Sequence, residues 1–417
     1  MGSSRLVQPT RAVNRMTEHW IRSCSDESSV FCAPSTWPLL ALLADATAEG
    51  QGRTELEHAV GLPATDSRAA ALQVLDQLRG MTAVRSALGL WAREQFPLDP
   101  RWTAGLPLGT VGLLTGDSAV DGPLLDDWAR QHTDNLIDAM PVAVTPETRV
   151  ILASAMSVRT RWARPFEDVG WPIRGDAGPW EDRRYYLLRR VTRILDRVSV
   201  VATPHGEVTC LEVVGTDGVT VYLVIGEEGR PAREVLQSAL VARTRIGRKG
   251  GELRIGDTAP GLIVERVPDY EPDDRLLVLT PRFRVTADHN LLEQPDVFGL
   301  ATVTDTTRGH FPTMSPQPLA VTQAKQSAAA LFTADGFEAA AVTAVAPSAA
   351  GAPPVPPRRV KQVRVEFDRP FGFLAVHRTS GLIMAAGWVA EPETYQPPAE
   401  ELEIEAMLKS WSENERE

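Results

Sequence analysis

The sequence predicts an α+β fold, because helical and strand patterns alternate in the first half of the chain and strands dominate the second half. The 417 residues are 43% hydrophobic and 23% charged, so the chain can bury a large core. Length alone would suggest two or three domains. The sequence contains no internal repeat and no segment with the roughly 18 consecutive apolar residues that a membrane-spanning helix needs.

Three helices are predicted from local patterns. Apolar residues recur at helical spacing from Val13 onward, so residues 10–23 are expected to form an amphipathic helix. Thr54 and Glu57 form a capping-box pattern that predicts the start of a short helix. A further helix is expected to begin after Pro123.

The strands are marked by apolar runs and a turn. Residues 208–214 and 219–225 flank Asp217-Gly218, a pair that favours a β-hairpin. Three further strands are expected at residues 363–367, 371–377 and 382–389. These last strands end the predicted globular body.

Charge and reactive residues narrow the classes of function. The net charge of −11 disfavours nucleic acid or an anionic membrane as the main partner. No metal, phosphate or dinucleotide motif is present, so no cofactor is expected. None of the seven histidines lies in a recognisable nucleophile motif, and no Gly-x-Ser-x-Gly elbow occurs. A Ser-His-Asp triad assembled from distant positions stays open, but catalysis is the weaker class of explanation.

The cysteines and the N-terminus bear on the compartment. Cys24, Cys32 and Cys210 are odd in number and lack metal-ligand spacing, so reduced, partly buried thiols are expected, with Cys32 as core filler. The first residues lack the apolar run of a signal peptide. We therefore expect a cytoplasmic protein, with an extracellular location as the open alternative.

The most informative segment is residues 335–346, in which Gly336 and an acidic residue precede small, uncharged side chains. Glycine supplies a flexible hinge, and small side chains allow the segment to sit exposed as a loop or to join a sheet as a new strand. A Pro-rich stretch follows, and then Phe-Asp-Arg-Pro-Phe at residues 367–371.

These two segments resemble the reactive-centre loop and the C-terminal signature of the serpins. Other segments, in the family's order, resemble its early strand and helix, its Gly-x-Thr corner, its central strand and a later Leu-Pro-Lys-Phe strand: residues 30–43, 52–56, 150–166 and 279–283. The chain is thus identified as a serpin-like protein over roughly residues 10–392, of bacterial type by its Ala, Arg and Pro usage.

The resemblance implies one domain with a large, mainly antiparallel central sheet, two smaller sheets, about eight helices and an exposed loop near residues 336–362. It also implies a monomer that traps a target serine protease. The protease attacks the loop as a substrate, and the cleaved loop inserts into the main sheet before the acyl-enzyme is hydrolysed. The implied hinge residues are Gly336, Phe337, Glu338, Ala339, Ala340 and Ala341.

Strand alternation places Phe337 on the face of the inserted strand that enters the core. The family usually has a smaller residue there, so we expect its entry during insertion to cost on the order of 1–3 kcal/mol. Pro347 is expected near the far end of the inserted strand.

The family also has a polar cluster that controls opening of the sheet, and a Trp that caps the place where the loop first enters. The corresponding residues here are Ala33, Thr36, Ser154, Gln326 and the capping Trp162. Ala33 stands where Ser is usual, Ser154 where Asn is usual and Gln326 where His is usual. We expect Ser154 and Gln326 to rebuild hydrogen bonds. These departures leave open a serpin-fold binding or regulatory protein whose loop does not insert.

Two counts locate the bond that a protease would cleave. Counting about fifteen residues forward from Gly336 gives Ala350-Gly351, which suits an elastase-like or subtilisin-like protease. Counting back from Pro370 gives Arg359-Val360, which suits a trypsin-like one. We favour the forward count, because the sheet sets the inserted length while the far side of the loop tolerates extra residues.

Residues 393–417 form an acidic extension beyond the family's usual end. Ile404, Met407, Leu408 and Trp411 recur at helical spacing, which predicts an amphipathic helix. We expect this helix to dock on the protein's own body, with recruitment of a partner as the alternative.

Deleting residues 400–417 should therefore lower the melting temperature, because each of the four apolar side chains contributes roughly 1.5–3 kcal/mol when buried, before the entropy of ordering is subtracted. Thermal unfolding of the full and truncated chains measures the effect. Unchanged stability, together with fast amide exchange throughout the extension of the full chain, would eliminate the docked helix.

Overall fold

Three β-sheets form the body of the protein, and helices pack on and between them. The computed structural model describes residues 3–395 except 134, 136–137, 175–177, 182 and 338–357. In these residues the helices are α1 Ser3–Arg22, α2 Ala33–Ala46, α3 Gln51–Val60, α4 Ala64–Arg79, α5 Pro100–Thr103, α6 Ser118–Thr133, α7 Ala232–Ala242 and α8 Pro295–Phe298.

The strands of the described residues are numbered in the same way. They are β1 Ser29–Phe31, β2 Val84–Arg93, β3 Val111–Leu114, β4 Val150–Val158, β5 Thr160–Arg161, β6 Glu167–Arg174, β7 Arg184–Thr192, β8 Val198–Thr203, β9 Gly206–Val214, β10 Val219–Ile225, β11 Arg248–Lys249, β12 Thr258–Ala259, β13 Leu262–Asp269, β14 Arg275–Pro281, β15 Phe283–Asn290, β16 Val321–Phe332, β17 Gly336–Phe337, β18 Arg358–Glu366, β19 Phe371–His377 and β20 Ile383–Val389.

The central sheet has the order β3-β2-β4-β16-β17-β5, with β15 on the other edge of β16. Most of its pairs are antiparallel, but β2 and β3 run parallel, as do β4 and β16. The second sheet has the order β1-β20-β19-β10-β9-β8-β11, and the third has the order β12-β13-β18-β14-β7-β6. This three-sheet α+β architecture confirms the predicted fold class.

Side-chain alternation gives the two faces of the central sheet different coverings. Val150, Leu152 and Met156 of β4 join the main core, on the side of α2, whereas Ile151 and Ala153 lie in a second cluster under α6. Helix α2 is mostly apolar, and it is buried along almost its whole length. The sheet is therefore enclosed on both faces.

All three predicted helix starts differ from the structure, and helix α1 begins at Ser3 rather than at residue 10. Helix α3 begins at Gln51, so Thr54 does not cap it. Glu57 instead accepts the Ala64 N–H at 2.7 Å, at the start of α4. Helix α6 begins before Pro123, because the Asp117 carboxylate accepts the Ala119 N–H at 2.9 Å and caps the helix earlier. The capping patterns in the sequence were thus compatible with more than one helix start.

The hairpin prediction is confirmed. Strands β9 and β10 pair antiparallel, and Gly218 in their connection has a φ of 76°. The predicted strand at 371–377 is β19, and the one at 382–389 is β20, one residue shorter. Strand β18 begins at Arg358 rather than at residue 363, so the exposed loop ends sooner than 362.

The C-terminal extension begins in contact with the body. The Glu393 carboxylate accepts two hydrogen bonds from Arg282, at 2.9 and 2.7 Å, and the ring of Tyr395 lies 4.9 Å from the Arg184 guanidinium. The predicted helix around Ile404 lies outside the described residues.

No helix in the described part of the chain is long and apolar enough to cross a membrane. The described residues also contain no group of three or more His, Cys, Asp or Glu side chains placed to hold a metal ion.

The three cysteines are free thiols, as predicted, and Cys32 is a core residue. Burial raises the pKa of Cys32 and of Cys210 to about 12, and burial followed by the nearby Asp26 raises that of Cys24 to about 11. All three are therefore protonated at neutral pH.

We expect iodoacetamide at pH 8 to leave Cys32 and Cys210 unmodified in the folded protein, because both are buried and thiolate is the reactive form. The partly exposed Cys24 should react slowly, and all three should react in denaturant. Peptide mass spectrometry gives the modification at each site. Rapid labelling of Cys32 under native conditions would contradict its placement in the core.

Candidate functional site

The candidate site is the line along which β4 and β16 lie side by side, which we call the seam. It pairs Val150 with Val321, Ser154 with Gln326 and Met156 with Ala328, among others. Parallel pairing is slightly less stable per residue than antiparallel pairing. A strand that entered here antiparallel to both neighbours would replace one parallel ladder by two antiparallel ones.

One buried side chain joins the seam to the N-terminus of α2. The Gln326 side-chain oxygen accepts the Cys32 N–H at 3.0 Å. Its Nε2 lies 2.9 Å from the Cys32 carbonyl, 2.9 Å from Ser35 Oγ and 2.6 Å from Thr36 Oγ1. Since an amide nitrogen has two hydrogens, these three acceptors share them.

Ser154 completes the arrangement from the other strand of the seam. Its hydroxyl lies 3.2 Å from Thr36 Oγ1 and 3.4 Å from Ser35 Oγ. Ser35, Thr36, Ser154 and Gln326, which we call the seam cluster, are all 0% exposed. Because buried polar groups are costly to leave unpaired, the cluster holds both seam strands against α2.

The cluster carries no charge at neutral pH. His289 lies opposite Gln326 on β15, and its Nε2 is 2.8 Å from the Val30 carbonyl. Burial is the main reason that the pKa of His289 is lowered, and burial raises that of the neighbouring Cys32 thiol. Both side chains are therefore neutral, so hydrogen bonds rather than ion pairs close the seam.

At the upper end of the seam the chain turns back on itself at residues 333–335. The short strand β17 follows, with Phe337 opposite both Phe332 of β16 and Thr160 of β5. A Cβ on Gly336 would lie 2.4 Å from the Thr160 carbonyl oxygen, so this close approach requires glycine. Two residues of the predicted hinge thus already lie between β16 and β5, the short strand that follows β4.

Residues 162–166 hold this turn from outside. Trp162 donates its indole N–H to the Thr333 carbonyl at 3.0 Å and its backbone N–H to the Asp335 carbonyl at 2.8 Å. The backbone N–H of Phe166 donates to the Ala334 carbonyl at 2.8 Å. The Trp162 ring packs against Phe332, so it covers the point where the chain leaves β16.

Comparison with known proteins agrees with this geometry. The family model described as serpin (serine protease inhibitor) matches residues 267–392. The chain is 24% identical over 400 residues to a putative serpin-Z6C of Oryza sativa subsp. japonica, which covers 87% of this chain and 90% of that protein. It is also 24% identical over 285 residues to plasminogen activator inhibitor 1 of Sus scrofa, covering 64% of this chain and 61% of that protein.

The structure of human thyroxine-binding globulin complexed with thyroxine superposes with a TM-score of 0.70. The match covers 93% of this chain and 99% of that one at 15% sequence identity, so it shows the fold.

The chain has the serpin fold.

The structure brings Thr36, Ser154 and Gln326 together. Ala33 lies buried in the first turn of α2 and adds no polar group. Ser35 was missed, although a hydroxyl in an otherwise apolar buried helix needs a partner and was therefore a usable signal.

Phe337 differs from the expectation. It is 1% exposed, and its ring centroid lies 6.0 Å from that of Phe373. We expected this ring to enter the core only during insertion, but it is buried before any further strand has entered the seam. The overpacking expected for Phe337 therefore does not add to the free energy needed to open the sheet.

The remaining predicted residues divide into two groups. Arg359 and Val360 lie in β18, where they pair with Pro268 and Val267 of β13. Outside the described residues lie Glu338, Ala339, Ala340, Ala341, Pro347, Ala350 and Gly351.

Gln326→Leu should lower the free energy of unfolding by about 1–3 kcal/mol, because it leaves the Cys32 N–H and the seam hydroxyls with fewer partners. Urea unfolding measures the loss. Gln317→Leu is the matched control, since Gln317 is exposed and donates a hydrogen bond to Ser315 through its backbone; it should change stability by less than about 0.5 kcal/mol. Equal stability of the Gln326→Leu and wild-type proteins would mean that the cluster does not stabilise the closed seam.

Proposed function

We propose that this protein inhibits a serine protease by loop cleavage followed by insertion of the loop into the seam. The protease serine attacks the Ala350 carbonyl, forms an ester with it and releases the amine of Gly351. Entry of the freed loop into the sheet then carries the acyl-enzyme away before water hydrolyses the ester. The observation that supports this proposal is the position of β17 between β16 and β5.

The pairing of β17 with β16 and β5 can be extended into the seam without a change of register. Six residues beyond Phe337 is Thr343, and six residues before Phe332 and Thr160 are Gln326 and Ser154. Gln326 and Ser154 are already partners across the closed seam. An inserted strand that continued the present pairing would therefore meet both neighbours in register.

The same extrapolation places Thr343 at the seam cluster. Residues separated by an even number lie on the same face of a strand, so Thr343 would share the inward face of Phe337. Its hydroxyl would arrive between Gln326 and Ser154, where a polar group is needed to replace the contacts that opening breaks. A small hydroxyl residue at this position therefore suits insertion.

The length of the seam supports the forward count for the cleaved bond. Eleven residues beyond Phe337 is Ser348, opposite Val321 at the lower end of β16. The bond must lie beyond this point for the strand to fill the seam, as Ala350-Gly351 does. The alternative bond, Arg359-Val360, lies in a paired strand, and Val360 is 4% exposed, so a protease cleft would have to unpair β18 to reach it.

A small residue before the cleaved bond suits a small specificity pocket, as in elastase-like or subtilisin-like proteases. We further expect a monomeric, cytoplasmic protein of bacterial type, with an extracellular location as the alternative. These last points rest on the sequence alone.

The second candidate is a serpin-fold binding protein whose loop does not insert. The fully buried, hydrogen-bonded seam cluster favours it, because opening must break contacts to Gln326 and Ser154 before any new ladder forms. The structural neighbour whose name states that it binds thyroxine shows that this fold serves binding as well.

Incubation with an elastase-like or subtilisin-like protease should give an SDS-resistant complex, and SDS should then release a C-terminal peptide that begins at Gly351. Mass spectrometry identifies the peptide, and the loop-cleaved protein should melt at a higher temperature than the intact one. Thr343→Arg should turn the inhibitor into a substrate, because an unpaired charge would have to enter the sheet. Thr343→Ser, which keeps the hydroxyl, should still trap the protease.

A released peptide that begins at Val360 would instead place the cleaved bond in β18 and favour a trypsin-like target. Cleavage after Ala350 with no complex and no rise in melting temperature would reject loop insertion and favour the binding-protein candidate.

A further inference from the structure

A group of arginines surrounds a cavity that the proposed loop chemistry does not use. The cavity has a volume of about 110 Å³ and lies between residues 163–164, the end of β7, the turn before β8 and the end of β9. Its charged lining consists of Arg164, Arg190, Arg197 and Glu212. Three cations thus face one carboxylate, which leaves an excess of two positive charges.

Arg190 is the unusual member of this group. It is 7% exposed, and in the described part of the chain it has no ion pair. Its Nη1 donates to the Arg164 carbonyl at 3.1 Å, its guanidinium lies 4.1 Å from the Phe166 ring centroid, and its Nε has no hydrogen-bond partner there. A buried cation without a counterion is costly, so the fold retains a charge that its described residues do not neutralise.

Burial, followed by the charges of Arg197 and Arg164, lowers the pKa of Arg190 to about 10. The guanidinium is therefore still protonated at neutral pH. The positive charges of Arg197 and Arg164 destabilise the charged form of Arg190, whereas an ion pair would stabilise it.

The other two arginines also keep free donors. Arg164 uses Nη1 to donate to Thr192 Oγ1 at 3.1 Å, and it is exposed on the cavity side of residues 162–166. Arg197 meets Glu212 through a single contact of 2.8 Å, from Nη1 to Oε2. A guanidinium has five N–H donors, so most of the donors around the cavity are not used by these contacts.

We infer that this cavity binds a small tetrahedral oxyanion of the phosphate or sulfate class, held by Arg164, Arg190 and Arg197. Guanidinium groups bind such anions through paired, charge-assisted hydrogen bonds. The volume is several times the roughly 15 Å³ that a single water needs, so the cavity has room for the ion. A bound anion would supply the counterion that Arg190 lacks.

The site would also connect residues 162–166, which hold the turn before the hinge, to two other elements. Arg164 belongs to residues 162–166, whose Phe166 N–H holds the turn before Gly336, whereas Arg190 lies on β7 and Arg197 precedes β8. An anion held by all three would tie residues 162–166 to the third sheet. Its binding would therefore stabilise the covering of the hinge, whether or not the loop inserts.

Titration with inorganic phosphate at constant ionic strength, balanced with sodium chloride, tests the site. The melting temperature of the wild-type protein should rise with phosphate in a saturable way, and calorimetric titration should give one site per chain. Arg190→Gln and Arg164→Gln should each weaken phosphate binding at least tenfold. Arg193→Gln is the matched control, because Arg193 pairs with Glu271 and Asp273 outside the cavity; it should bind phosphate like the wild type.

Phosphate should also slow amide hydrogen exchange at Trp162 and Phe166 in the wild-type protein and leave it unchanged in Arg164→Gln. If Arg190→Gln does not fold, Arg164→Gln decides the matter, since Arg164 is exposed. The inference is overturned if both cavity variants bind phosphate as tightly as the wild type, or if sodium chloride alone gives the same stabilisation.

Discussion

The hydrogen bonds of Gln326 are the interaction on which the closed form of this protein depends. One amide joins β16 to the N-terminus of α2, and through Thr36 and Ser154 it joins α2 to β4 as well. Because every polar atom of the cluster is buried, separation of the two strands must either break these bonds or offer them new partners. The parallel ladder of the seam is thus held by side chains from beneath the sheet as well as by its own backbone bonds.

The predicted hinge begins at the upper end of the same sheet, in the short strand β17. Gly336 passes so close to the Thr160 carbonyl that no other residue fits, and Phe337 already occupies the core beside Phe373. Gly336 and Phe337 therefore already form a strand beside β16 and β5, while β4 and β16 are paired with each other below it. Residues 162–166 cover this junction, and the uncompensated Arg190 lies directly behind them. Residues 162–166 therefore contact the turn before Gly336 and also line the arginine cavity.

Much of the architecture could be predicted from the sequence, because local signals were unambiguous there. Asp217-Gly218 between two apolar runs produced the expected hairpin, and residues 371–377 form β19 with the predicted bounds. The predictions were wrong where two local solutions competed. Thr54 was predicted to cap a helix but lies inside α3, which begins directly after Gly50. Pro123 was predicted to precede a helix but lies inside α6, which Asp117 caps.

The sequence by itself determined the fold class and pointed to three residues of the seam cluster, since these follow from the order of short patterns along the chain. Only the tertiary structure decided that Ser35 joins the cluster, that Phe337 is buried in advance and that β18 takes up Arg359. It alone brought Arg164, Arg190 and Arg197, which belong to three different elements, to one cavity. The physical reason is that hydrogen bonds and charge interactions depend on distances of a few ångströms between side chains, and the spacing of residues along the chain does not specify those distances.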